Sequence, residues 1–125
     1  MLKNTGYYEW KPTPTGKQPY YISARDGSPL PFAGLWDEWH DPESGEQIRS
    51  CTIIVTDANA LTRPIHDRMP VILYGAQQTA WLASAAAAIE LLKPAPDDIL
   101  QLWPVSRRVN WSGNEGDAKL IEAIH

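Results

Sequence analysis

Arg49-Ser50-Cys51-Thr52-Ile53-Ile54-Val55-Thr56 has the two-residue alternation and the density of β-branched side chains of a strand, and it predicts that Cys51, Ile53 and Val55 share one face. Working outward, residues 6–11, 18–24, 31–36, 70–74 and 102–106 have the same character and predict further strands, each ended by glycine, proline or a charge cluster. Gly27, within Arg25-Asp26-Gly27-Ser28, marks a turn between the second and third of these. Eleven prolines spread from Pro12 to Pro104 cut the chain into short segments and leave little room for long helices. The exception is 77–92, which lacks proline and holds a run of alanines; it predicts a helix closed by Lys93-Pro94, with a short helical turn at 96–100. A weaker helical spacing of apolar residues runs over 117–124. The expected fold class is α+β: one strand-rich domain over 1–125, with a mixed or antiparallel sheet and a few short helices.

Composition bounds the function. A chain of 125 residues with 43% hydrophobic and 21% charged content suits one soluble globular domain, without repeats or a low-complexity linker. Its net charge of -4 argues against general electrostatic binding of nucleic acid, so any such site must be local. Cys51 is the sole cysteine, which excludes an intrachain disulfide. With no secretory apolar segment after Met1, a cytoplasmic location is expected, nucleoid-associated in a bacterium. The apolar stretch 85–92 is interrupted by Glu90 and is too short to cross a bilayer, so no membrane association is expected. Asp37 to Glu46 carries five carboxylates and no lysine or arginine, which reads as a solvated hairpin loop.

Two places carry chemistry. In Tyr7-Tyr8-Glu9-Trp10-Lys11 a strand sets Tyr7, Glu9 and Lys11 on one face and Tyr8 and Trp10 on the other, placing a carboxylate among aromatics. An apolar setting there favours the protonated acid, as a general acid requires; the alternative is a sheet-edge ion pair with a lysine. In Ile65-His66-Asp67-Arg68-Met69-Pro70 an imidazole able to exchange protons at neutral pH stands beside a guanidinium able to bind phosphate, in a loop restrained by Pro64 and Pro70. The alternative is a structural histidine next to a surface Asp67/Arg68 pair. His40 and His125 suggest no site, and no group of residues has metal-ligand spacing, so neither metal nor cofactor is expected.

Seven segments, in order, resemble the SRAP family of SOS response-associated peptidases: Tyr7 to Lys11, Gln18-Pro19-Tyr20-Tyr21, Phe32-Ala33-Gly34-Leu35-Trp36, Thr52 to Asn59, Ile65 to Leu73, Trp81-Leu82 and Pro104 to Asn110. The resemblance implies abasic-site processing in single-stranded DNA, with an N-terminal cysteine that forms a thiazolidine crosslink to the opened sugar and a self-processing peptidase activity that exposes it. Glu9 then matches the family's proton-transfer glutamate and His66 the histidine that assists ring opening and reversal. Arg68 and Thr56 match phosphate-binding positions, with Trp10 beside the same site. The match is to the C-terminal part of the family domain. Leu2 stands where the family has cysteine, and the Asn-Ala-Arg motif has no counterpart, so catalysis is expected to be impaired and the fold incomplete. Self-association, or a partner carrying the missing N-terminal half, is the structural expectation. Two other readings stand beside this one: a non-catalytic remnant that binds DNA or protein, and a tryptophan-lined sugar site with Glu9 as glycosidase acid.

Overall fold

The computed structural model describes residues 2–110 and 121–124. In chain order the elements are β1 (Leu2–Asn4), β2 (Gly6–Thr13), β3 (Gly16–Ala24), β4 (Leu30–Phe32), β5 (Gly34–His40), β6 (Gln47–Ile53), β7 (Val55–Asp57), β8 (Arg68–Pro70), α1 (Gln77–Ala83), α2 (Ala85–Glu90) and β9 (Leu100–Pro104), with 3-10 turns at Asp97–Ile99 and Arg107–Asn110. The fold is α+β, and every strand pair among the described residues is antiparallel.

The largest sheet has the order β2-β3-β9. Its first hairpin runs from Gly6 opposite Ser23 to Thr13 opposite Gly16, and β9 extends the sheet by pairing Tyr20 to Ala24 with Pro104 to Leu100. Gly6 is required by a close approach. A Cβ there would stand 2.5 Å from the Tyr21 ring and 2.6 Å from the Ile22 carbonyl oxygen. At the predicted turn, Gly27 has φ of 80°, and Asp26 accepts from both the amide and the hydroxyl of Ser28.

The remaining strands form two-stranded ribbons, β1-β4, β5-β6 and β7-β8. They meet at a cycle of three backbone hydrogen bonds: Ile54 N–H to Ala33 O, Ala33 N–H to Val71 O and Val71 N–H to Ile54 O, each 2.9–3.0 Å. This junction explains why the strands divide where they do. The segment 49–56, expected as one strand, breaks at Ile54 because the chain changes partner there, from β5 to β8; the expected strand 31–36 breaks likewise at Ala33. The expected strand 70–74 is shifted. Pairing with β7 occupies Arg68–Pro70, and the next residues run extended beside β4, through the Phe32–Ile72 bridge and the Leu73 N–H to Pro31 bond.

Two apolar clusters fill the interior. Ile22, Leu30, Phe32, Met69, Ile72 and Leu100 anchor the first, with Tyr7, Leu61 and Leu102 against it; Ala33, Val71 and Leu73 form the second, beneath Ile54, Trp81 and Leu91. The face predicted for Cys51, Ile53 and Val55 is not buried: all of β6 is exposed, because among the described residues no element covers that ribbon. Helix 77–92 is two helices parted at Ser84, whose extended backbone ends α1 and whose hydroxyl accepts from Ala87 N–H at 3.1 Å to start α2. Of the acidic run expected as a loop, Asp37 to His40 instead belong to β5, and only 41–46 close the β5-β6 hairpin, with Asp41 accepting from Glu43 N–H and the Ser44 hydroxyl. Of the tail expected to be helical, 117–120 lie outside the described residues; Ala123 instead bridges Val105 as an added strand residue.

Candidate functional site

Glu9 lies in the middle of β2, opposite Tyr20. Strand alternation puts it on the side of Tyr7, whose ring meets Phe32 edge-on at 5.6 Å at the margin of the first core cluster. Glu9 therefore sits where the core gives way to solvent. It is half-buried, and its Oε1 accepts from the Trp10 amide at 3.3 Å. The apolar enclosure expected for this carboxyl is only partial. Its neighbour is more affected: burial, and secondarily the negative charge of Glu9, push the Tyr7 phenol far above its ordinary range. The Tyr7 hydroxyl is buried and has no hydrogen-bond partner.

The opposite face of the same sheet carries an aromatic row. Trp10 lies against Tyr8, Tyr8 against Tyr21 and Tyr21 against Trp103, with centroid separations of 6.4, 5.5 and 5.8 Å. Both ends are tied down: the Trp10 indole donates to Asn110 at 2.8 Å and the Trp103 indole to the Ile121 carbonyl at 2.6 Å. Trp10 and Glu9 thus present to opposite sides of β2. Only the Tyr8–Trp10 alternation was visible locally; the row itself needs the register across three strands.

His66 ends a loop that leaves β7 and returns to β8. Asn59, buried, organises it. Its amide donates to Ala95 O at 2.9 Å, and its carbonyl accepts from the backbone and the hydroxyl of Thr62, both at 3.0 Å. Thr62 O in turn accepts from the Ile65 and His66 amides, and Ala58 N–H to Asp67 O closes the base. Sequence reasoning missed Asn59 and Thr62 as supports; an asparagine three residues before a threonine, directly after a strand, was the available signal.

The Arg68 amide donates to His66 Nδ1 at 3.1 Å, which fixes the proton of the neutral ring on Nε2. Asp67 Oδ1 lies 3.4 Å from the same Nδ1. Arg68 extends across the β7-β8 ribbon to Asp57, Nη1 to Oδ1 3.5 Å, and with Arg63, Asp57 and Asp67 lines a shallow cavity of about 350 Å³. Thr56 pairs with the buried Met69 and shares its side of the ribbon, whereas Arg68 is exposed on the other. The two candidate phosphate contacts therefore face apart.

Among the described residues no hydrogen bond or ion pair joins Glu9 to His66. What links them is the core: Tyr7, two residues before Glu9, and Met69, three residues after His66, pack into the same cluster. Among the described residues no group of three His, Cys, Asp or Glu side chains is arranged to hold a metal ion, and no helix is long and apolar enough to cross a membrane.

The family model for SOS response associated peptidase (SRAP) matches residues 1–112, a span that includes Glu9, the His66 loop and the whole described core. The chain belongs to the SRAP family. An SRAP relative from Bacillus phage SPbeta, "Abasic site processing protein YoqW", is 38% identical over 98% of this chain and 56% of its own length. "Abasic site processing protein HMCES" of Xenopus tropicalis is 35% identical over 87% of this chain and 38% of its own length. A crystal structure of a protein from Bacteroides thetaiotaomicron superposes with a TM-score of 0.89 at 32% identity, covering 99% of this chain and 56% of that one. This SRAP chain spans about half the length of the bacterial and phage relatives it matches.

Proposed function

We propose that the chain processes abasic sites in DNA, engaging a single strand at the His66–Arg68 loop, with Glu9 and His66 moving protons and Arg68 contacting a phosphate; Thr56 and Trp10, which face away from Arg68 and Glu9 respectively, fall outside this contact. The observation that carries this reading is that the family match spans both proton-transfer candidates, and relatives are named abasic site processing proteins. Supporting it, a half-buried carboxylate and a loop imidazole with a defined tautomer are the groups that imine chemistry needs, one to accept the proton of an attacking amine and one to donate to departing water. The exposed guanidinium of Arg68 suits a phosphate, exchanging a long pairing to Asp57 for a charge-assisted bond.

The covalent step is the restricted one. Cys51, the sole cysteine of the 125 residues, is exposed within β6, and its nitrogen is tied up in the backbone, so it cannot close a thiazolidine. No cysteine among these 125 residues can therefore form that crosslink. Incubating the chain with single-stranded DNA carrying one abasic site is expected to give reversible binding that exceeds binding to the intact strand, with no band surviving a denaturing gel. Equal binding to both strands, or none, rejects the reading. A stable crosslink lost in Glu9→Gln rejects the account of the covalent step instead.

A further inference from the structure

The β5-β6 hairpin carries the entire net charge of the chain. Residues 34–53 hold five carboxylates and one arginine, a net of -4, whereas the remaining residues balance ten acids with ten lysines and arginines. The two faces of the hairpin differ. On one, Arg49 meets Glu38 at 3.0 Å and Gln47 donates to the same carboxylate at 2.6 Å, so the charge is answered within the hairpin itself. On the other, the register sets Trp39 opposite Ile48 and Asp37 opposite Ser50, and no lysine or arginine of the hairpin falls there. Trp39 is 55% exposed and Ile48 45%, and neither belongs to a core cluster. Strand geometry places this pair about 13 Å beyond Leu35, well out along the hairpin. Among the described residues the carboxylates of Asp37, Glu43 and Glu46 make no hydrogen bond or ion pair.

An apolar pair bordered by unanswered charge has the make-up of a small protein interface, in which an aromatic anchor sits inside a polar rim. The sign of that charge selects the occupant. Phosphates are repelled by it, so a nucleic-acid strand gains nothing here. A second copy of this chain would bring its own acidic hairpin against this one, and like charges brought together oppose association. We propose that the Trp39–Ile48 face of the hairpin is a docking surface for a basic segment of another protein. Lysine or arginine side chains of that segment lie over the Trp39 ring and reach Asp37, Glu43 and Glu46, while an apolar residue between them meets Ile48. The face whose charge is already paired, with Glu38, Gln47 and Arg49, takes no part.

The test titrates the 125-residue chain against a fluorescent peptide of alternating lysine and valine, with a peptide of alternating glutamate and valine as the control. Binding of the lysine peptide alone is expected, with residues 35–50 gaining protection from hydrogen exchange. Trp39→Ala is expected to weaken it about tenfold, and so is the triple variant Asp37→Asn, Glu43→Gln, Glu46→Gln. A second triple variant, Glu90→Gln, Asp98→Asn, Glu122→Gln, removes as many charges from exposed positions elsewhere and should change binding by less than about twofold. All these side chains are exposed, so thermal melts should show each variant folded. Absence of binding overturns the proposal. So does binding indifferent to Trp39→Ala, or weakened equally by the two triple variants, which would mean attraction to overall charge. If the chain alone forms a dimer that Trp39→Ala dissolves, the second copy is the occupant and the proposal fails; if a single-stranded oligonucleotide displaces the peptide from this hairpin, nucleic acid is. The peptide experiment requires no abasic site, so this proposal and the abasic-site reading fail separately.

Discussion

The Tyr7 hydroxyl is a polar group buried without a partner beside the charge of Glu9, while its ring contributes fully to the core through Phe32. Removing only the oxygen leaves the packing and deletes the desolvation cost, so Tyr7→Phe is expected to be neutral or to stabilise by about 1 kcal/mol in urea unfolding. The pH dependence follows from the direction of the shift. In the folded chain the phenol holds its proton above the ordinary value of about 10, where the unfolded chain releases it. Stability is therefore fully present below that pH and falls as the pH rises above it, and the fall should be smaller in Tyr7→Phe, measured by thermal melts at pH 9 and 11. Asn59 is the opposite case, a buried amide hydrogen-bonded through both its oxygen and its nitrogen. Asn59→Ala leaves the Thr62 amide and the Ala95 carbonyl unpaired and is expected to cost on the order of 2–4 kcal/mol, loosening the loop that presents His66. Local hydrogen exchange at 62–68 would rise more than at β2 and β3. Uniform loss across the chain would mean that Asn59 supports the core rather than the loop.

At the scale of elements, Gly6 is a position of β2 where a side chain would collide with β3. A methyl group there meets the Tyr21 ring and the Ile22 carbonyl; the latter is backbone and cannot swing aside, so Gly6→Ala is expected to destabilise by about 1–3 kcal/mol in equilibrium unfolding. No change would mean that the hairpin moves freely against its neighbour. The strands that matched their sequence reading are those whose pattern is local: β2 and β3 pair with each other across a tight turn, and alternation fixes both. The strand expected at 102–106 is displaced to Leu100–Pro104, and those expected at 31–36, 49–56 and 70–74 are divided or shifted at the three-way junction of Ala33, Ile54 and Val71, where nothing in Thr52-Ile53-Ile54-Val55 announces a partner seventeen residues further on. The same holds for burial. Alternation marked a face of β6 as apolar but not what covers it, and among the described residues nothing does. Within the candidate site, Glu9 and His66 were legible as residue types in suggestive settings, and the family resemblance supplied their roles. Asn59 was not, because its importance lies in reaching Ala95, thirty-six positions away.

Across the whole molecule, acidity is unevenly held. Five of the fifteen carboxylates fall between Asp37 and Glu46, in the β5-β6 hairpin, and the rest of the chain sets eleven lysines and arginines against ten acids. On the proposed reading, the field a DNA strand meets at the His66 loop is set by the loop's own charges, Arg63 and Arg68 against Asp57 and Asp67, more than by the net charge of -4, since salt screens exposed charges beyond roughly 8–10 Å. Binding there should depend on a few local contacts rather than on a general field. For a single strand each neutralised phosphate contributes about 0.7 to the slope of log affinity against log salt, so a shallow slope is expected, of roughly 1–2. Arg68→Ala should then lower that slope by about 0.7 and weaken binding at all salt concentrations, since its guanidinium gives up only a long, exposed pairing with Asp57. Arg49→Ala is the informative control. That arginine sits in the acidic hairpin, 3.0 Å from Glu38, and its removal should leave the slope unchanged. If Arg49 and Arg68 prove interchangeable in a fluorescence-anisotropy titration over salt, the strand follows the overall charge of the molecule and the His66 loop is not where DNA binds.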